Sequence, residues 1–207
     1  MNGRFITLEG PEGAGKTLQA QRLVAALEGR GHRARLTREP GGTGLGEQIR
    51  AIVLARGADD AFISARADAL LFNAARAQLV AEVIGPALAA GDVVICARFA
   101  DSTLAYQGYG AGLPLDELRA IAAVATGGLV PDLTVLLDVS PEVGLARKPE
   151  DARNRFEATF DVDFHRRVRD GFLELARQEP ERWRVVDAER DADGVFEDVL
   201  AAASAIL

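Results

Sequence analysis

The chain reads as an α/β protein with a five-stranded parallel sheet covered by helices on both faces, and three observations predict this. Short β-rich runs recur at residues 5–8, 33–37, 93–96, 133–138 and 183–186. Helical patterns lie between them, and such alternation builds a parallel sheet because each crossover helix must pack back onto it. Directly after the first run, Gly10-Pro11-Glu12-Gly13-Ala14-Gly15-Lys16-Thr17 meets every specified position of G-x-x-x-x-G-K-[ST], a phosphate-cradling loop that joins a strand to a helix.

The elements follow in order. Phe5-Ile6-Thr7-Leu8 is an apolar run of strand length. The loop after it leads into a helix over 17–28, where Leu23, Val24 and Leu27 recur at helical spacing and Gly29 or Gly31 supplies the stop. Helices are expected over 44–55 and 64–84, between the second and third runs. The third run, Val93 to Cys96, is continuously apolar, and a helix over 114–125 separates it from the fourth. Helices over 141–147 and 161–178 precede the fifth run and one over 193–206 follows it. Phe164, Val168, Phe172 and Leu175 keep a 3.6-residue period, which marks a face turned to the core. No internal repeat or low-complexity linker divides the 207 residues, so a single domain, 1–207, is expected. In such folds ligands sit beyond the carboxyl ends of the strands, where most of the distinctive residues of this chain fall.

Composition narrows the partners. A net charge of −7 argues against a nucleic-acid polymer, whose counterions only a broad basic surface displaces. Phosphate must then be met locally. Lysine occurs only at Lys16 and Lys148, and one of the two stands in the phosphate loop. The single cysteine, Cys96, excludes an intrachain disulfide and reads as a buried, inert thiol. No apolar stretch approaches the roughly 20 residues of a membrane span, and no signal-peptide pattern opens the chain, so a cytoplasmic protein is expected.

The loop itself predicts a nucleoside triphosphate site. Its glycines let backbone N–H groups turn onto phosphate oxygens, Lys16 supplies a point charge to the terminal phosphates, and the Thr17 hydroxyl is placed to ligate Mg²⁺. Residues 10–17 are therefore the expected ATP-binding residues. Elsewhere, Phe72 and Arg76 are four apart on one predicted helix and share a face, so a ring and a guanidinium project together. By spacing alone this pair also describes a core ring beside a surface cation.

Four further segments carry a family resemblance: Thr37-Arg38-Glu39-Pro40-Gly41-Gly42-Thr43, Phe72 to Gln78, Ala97-Arg98-Phe99-Ala100-Asp101-Ser102-Thr103-Leu104-Ala105-Tyr106-Gln107-Gly108, and the basic stretch from Arg147 to Glu157. With the phosphate loop they make the chain similar to the thymidylate kinases, from Arg4 to about Asp187. The resemblance implies a three-layer P-loop nucleoside monophosphate kinase fold with a short lid at about 147–158. It also implies a homodimer that moves the γ-phosphoryl group of ATP to dTMP with Mg²⁺. It assigns roles as well. Phe72 would stack on thymine while Arg76 donates to its O4; Ser102, Thr103 and Gln107 would complete the base pocket; and Tyr106 would lie against the deoxyribose and crowd a 2′-hydroxyl. Arg38 would grip the dTMP phosphate, Arg98 would lie between the donor and acceptor phosphates, and Glu12 would reach the 3′-hydroxyl. A lid arginine, Arg153 or failing it Arg155, would join Lys16, Arg98 and Glu12 as the catalytic set. Phosphoryl transfer asks for positioning and charge neutralisation, so no nucleophile or base is sought. His32 and His165 lie in no motif of the family.

The chain departs from the pattern at three places. Where thymidylate kinases end the third strand in Asp-Arg, this chain has Ala97-Arg98; the missing carboxylate normally supports Mg²⁺, and Asp101, Glu9 and Glu12 are the nearby acids that could compensate. Asn154 stands where the lid usually carries Asp, and Leu18 where a hydroxyl residue commonly follows Thr17. Two other readings therefore stay open: a kinase of another nucleoside monophosphate, and a nucleotide-binding protein whose turnover is impaired by Ala97.

Overall fold

The computed structural model describes residues 3–55, 63–147 and 154–207. Five parallel strands, β1 (Arg4–Glu9), β2 (Ala34–Arg38), β3 (Val93–Ala97), β4 (Leu133–Asp138) and β5 (Trp183–Asp187), form one sheet in the order β2-β3-β1-β4-β5. The chain switches direction across β1. Leu8 is in register with Ala97 on one side and Val135 on the other, so the ends of β1 and β3 open side by side.

The helices are α1 (Lys16–Glu28), α2 (Gly44–Leu54), α3 (Ala65–Leu79), α4 (Gly85–Ala89), α5 (Ala100–Thr103), α6 (Leu115–Thr126), α7 (Pro141–Ala146), α8 (Arg155–Thr159), α9 (Val162–Gln178) and α10 (Ala192–Ser204). The five strands and seven predicted helices fall where expected, with one difference. The helix expected over 64–84 widens into a π turn at Val80–Ile84 and continues as α4. Pro86 stands just beyond that turn. It has no N–H to give and its ring crowds the carbonyl four residues back, so a regular α turn does not fit. Two short helices were not expected: α5, which runs into a second π turn at Leu104–Gly110, and α8, a five-residue helix closed by an Asn154/Glu157 capping box.

The strand pleat divides the core. Ile6 and Leu8 turn to one face and pack with Leu23 and Leu27 of α1 and Val199 of α10. On the other face Phe5 packs with Leu79, Ile84 and Phe99, while Leu136 joins Phe164, Val168 and Phe172 of α9. Thr7 and Thr134 bring hydroxyls into this interior and satisfy each other at 3.0 Å. Arg182 then donates to Thr134 at 2.6 Å and pairs with Asp101 at 2.7 Å, anchoring α5 from below. Cys96 is a buried free thiol. Among the described residues no helix is long and apolar enough to cross a membrane.

Candidate active site

The phosphate loop is shaped by close backbone contact. Gly10, Gly13 and Gly15 all have positive φ. Side chains are also excluded by space: a Cβ on Gly13 would strike the carbonyl of Gly144 on α7, and a Cβ on Gly144 would strike that of Glu12. The loop opens on a cavity of about 460 Å³ at the carboxyl ends of the strands. Gly13, Ala14, Gly15, Lys16 and Thr17 line it, whereas Gly10 and Pro11 act through their carbonyls, which accept from Lys16 Nζ at 2.9 and 2.6 Å. Lys16 is thus nearly buried. Burial and the neighbouring Arg98 charge lower its pKa to about 7, against the opposing pull of Glu12, Glu9 and Glu157.

Beside the loop lies a cluster centred on Arg98. Its Nη2 donates to Glu12 Oε1 at 2.9 Å and meets the Tyr106 hydroxyl at 3.0 Å, and its Nη1 reaches the Gly10 carbonyl and Ser102 Oγ. Tyr106 OH donates to the same Glu12 oxygen at 3.0 Å. Burial alone would raise the Glu12 pKa, but Arg98 and then Lys16 outweigh it and hold the carboxyl at about 2. The π turn places Tyr106 and Gln107 in the cavity wall, and it can do so because Gly110 lets α9 approach: a Cβ there would meet the Phe164 ring at 2.7 Å.

Phe72 and Arg76 both line the cavity, but Arg76 is not the exposed cation that spacing allows. It is 1 % exposed. Its Nε donates to Glu39 Oε2 at 2.9 Å, Nη1 to Asn73 Oδ1 at 2.8 Å, and Nη2 to both the Phe99 carbonyl and Thr103 Oγ1 at 3.1 Å. One Nη1 hydrogen is left uncommitted by these contacts. Thr103, Ser102 and Gln107 line the same wall. The Ser102 hydroxyl is turned inward, donating to Glu9 at 2.6 Å.

Arg38 lines the cavity while holding Glu47, at 3.1 Å, on α2. Arg155 does not line it. That side chain, expected from the resemblance as the alternative lid arginine, donates to both oxygens of Asp68 at 2.7 Å and to the Val53 carbonyl at 2.9 Å, so it ties α8 to α2 and α3. Arg153 lies outside the described residues, as do 148–152 of the expected lid.

Sequence reasoning passed over six residues of the cavity wall: Glu39, Pro40, Arg50, Leu54, Phe156 and Glu157. Arg50 donates to the Pro40 carbonyl at 2.8 Å, and its pKa is lowered by burial and by the charges of Arg38 and Arg98. A cation crowded by cations marks a place prepared for an anion. Nothing in the helical pattern of α2 singles Arg50 out. Glu157 is hydrogen bonded with Glu12 and also accepts from the Asn154 N–H at 2.6 Å.

Ala97 ends β3 with its side chain in the cavity wall. Of the three acids that could replace the missing carboxylate, only Glu12 faces the cavity. Asp101 is committed to Arg182, and Glu9 is fully buried, accepting from the Phe99 N–H at 2.7 Å and from Ser102. Burial, then the Asp101 charge, raises the Glu9 pKa to about 7. No group of three or more His, Cys, Asp or Glu able to hold a metal is present among the described residues.

The sequence profile of the thymidylate kinase family matches residues 8–199. The chain is 53% identical over 203 residues to the thymidylate kinase of Deinococcus radiodurans, covering 98% of this chain and 97% of that one. It is 50% identical to the thymidylate kinase of Solidesulfovibrio magneticus, covering 94% of this chain and 96% of that one. Among solved structures, a thymidylate kinase from Ehrlichia chaffeensis superposes with a TM-score of 0.80 at 32% identity and 99% coverage of both chains. With a phosphate loop and a buried guanidinium beside an aromatic ring lining one cavity, the chain belongs to the thymidylate kinase family.

Proposed function

We propose that the protein transfers the γ-phosphoryl group of ATP to dTMP, giving dTDP and ADP. The observation that carries this reading is one cavity lined together by the phosphate loop, the Arg98–Glu12 pair and the Phe72–Arg76 pair, with Arg98 bonded to the loop at Gly10 and Glu12 and the adjoining Phe99 carbonyl bonded to Arg76. ATP phosphates enter on the loop N–H groups and Lys16, at the N-terminus of α1. Arg38, Arg50 and Arg98 are the guanidiniums available to the dTMP phosphate, and a planar fork suits a phosphate face. Phe72 lies against the base, and the uncommitted Arg76 hydrogen is offered to its O4. Glu12 holds the 3′-hydroxyl and so fixes the sugar. Catalysis then consists of alignment and charge neutralisation.

The donor set fits Mg²⁺ held chiefly by nucleotide phosphates, since this ion keeps several waters and asks the protein for only one or two oxygens. Thr17 and Glu12, both in the cavity wall, would supply them, and the bound ion would neutralise charge on the phosphate oxygens. Residues 147–158 are proposed as a lid of the one domain, with Arg153 directed at the transferring phosphoryl; Arg153→Ala should lower kcat with little change in dTMP affinity. The reading extends to a cytoplasmic homodimer. Ile52, Leu70 and Val124 are exposed on α2, α3 and α6, which pack side by side and offer an apolar face to a second copy. Sedimentation of the wild type against Leu70→Asp tests this.

Incubation with ATP, Mg²⁺ and each nucleoside monophosphate in turn, followed by chromatography of the products, tests the activity. One dTDP per ADP, with slower reaction of dCMP, is expected. ATP binding without any diphosphate product would leave a binding protein instead.

A further inference from the structure

We propose that Glu9 is a positioning residue, which fixes the left-handed backbone at Arg98 and thereby aims that guanidinium at the transferring phosphoryl group. The proposal rests on the phosphoryl-transfer reading of the cavity.

Arg98 has φ 70° and is the one non-glycine residue at positive φ among the described residues. An L side chain rarely adopts this conformation, and it persists only where the surroundings over-determine it. Here they do. The Arg98 N–H donates to the Leu8 carbonyl at 3.0 Å, and the Cys96 thiol donates to the Arg98 carbonyl at 3.0 Å. The next peptide is then gripped by Glu9, whose Oε1 accepts from the Phe99 N–H at 2.7 Å, while Oε2 accepts from Ser102 Oγ at 2.6 Å.

One carboxylate therefore spans the bend, from the residue just after Arg98 to the one that receives Arg98 Nη1. Its other surroundings do not explain it. Glu9 is 0 % exposed and absent from the cavity wall, so it cannot act on a substrate directly. A buried carboxylate is costly unless its oxygens are satisfied, and both are spent on this one turn. The turn is what directs Arg98 across the end of β1 to the Gly10 carbonyl and Glu12. A right-handed backbone would swing the Cβ away from them. The Phe99 carbonyl accepts from Arg76, so the residue after Arg98 is held at its N–H by Glu9 and at its carbonyl by the base-reading guanidinium.

A kinetic double-mutant cycle tests this in the full-length protein with Glu9→Gln, Arg98→Ala and the double variant. The amide keeps the volume but replaces one of the two acceptor oxygens with an NH₂ donor. Misplacement of a catalytic group by about 1 Å costs on the order of a hundredfold, so Glu9→Gln should lower kcat by about that factor and leave the KM for ATP within about twofold. In the Arg98→Ala background the same change should cost less than about threefold, because its target is gone. A crystal structure of Glu9→Gln should show Arg98 at negative φ. Equal losses in both backgrounds, or a kcat within about threefold of wild type, overturn the proposal. If Glu9→Gln does not fold, Glu9→Asp carries the cycle, and failure of both to fold makes Glu9 a purely structural carboxylate and overturns it too. Wild-type turnover of ATP with dTMP is the control: its absence removes the functional reading, whereas the φ of Arg98 in the variant still reports on Glu9.

Discussion

Arg98 Nη2 and Glu12 Oε1 stand 2.9 Å apart, and both side chains are largely withdrawn from water. The pair joins the end of β3 to the phosphate loop and so couples the two halves of the cavity. It also keeps Glu12 ionised at any working pH, since the carboxyl is held at about 2.

The sign of the resulting pH dependence follows from that depression. A carboxyl lowered from 4.5 to about 2 contributes stability that is full above its unfolded value and lost as pH falls through the folded one. The window is pH 4.5 down to about 2. Urea denaturation across this range should show the wild type losing stability relative to Glu12→Gln as pH falls. Parallel curves would disconnect Glu12 from Arg98.

Lys16 titrates the other way. Its pKa near 7 leaves it largely neutral at pH 8 in the free protein, and bound polyphosphate favours the charged form. ATP binding at pH 8 should therefore take up a proton, and at pH 6 it should not. Calorimetry in buffers of different ionisation enthalpy measures this directly. Lys16→Ala should lower kcat by a factor of about 10² or more, because it removes a charge stabiliser of the transition state.

Arg76→Ala should raise the KM for dTMP far more than that for ATP. It also leaves Glu39, buried and 2.8 Å from the guanidinium, without its counter-charge. Breaking a buried pair in this way costs about 3–5 kcal/mol, so a lower Tm is expected as well. Steady-state kinetics with each substrate varied, at a temperature where the variant stays folded, separates the two effects. Similar rises in both KM values would place Arg76 away from the base.

Ala97→Asp should raise kcat by about tenfold or more and lower the Mg²⁺ concentration needed for half-maximal rate, because charge neutralisation dominates phosphoryl transfer. Ala97 ends its strand in the wall of the cavity that Lys16 and Arg98 also line. Turnover measured against Mg²⁺ concentration for both proteins decides it. No gain in either quantity would mean that Glu12 and Thr17 already suffice.

Much of this protein is written locally in its chain. The five strands and the loop between β1 and α1 could be read because apolar runs, glycines and the Lys16-Thr17 pair report backbone conformation over a few residues. The family could be read because several such local signals occur together. Helical spacing correctly put Phe72 and Arg76 on one face, yet gave no sign that Arg76 is buried against Glu39, a residue 37 positions away. Periodicity reports which side is covered and not what covers it. The same holds for the acids: Glu9, Glu12 and Asp101 are equivalent in sequence, and only packing sends one into the sheet end, one into the cavity and one to Arg182. Arg155 went to Asp68 and Arg50 to the cavity for like reasons. The left-handed turn at Arg98 belongs to this second group. No local preference of Arg-Phe asks for it, and it is held by Leu8 and Glu9, which the pairing of β1 with β3 brings alongside, together with the thiol of Cys96 two residues before it.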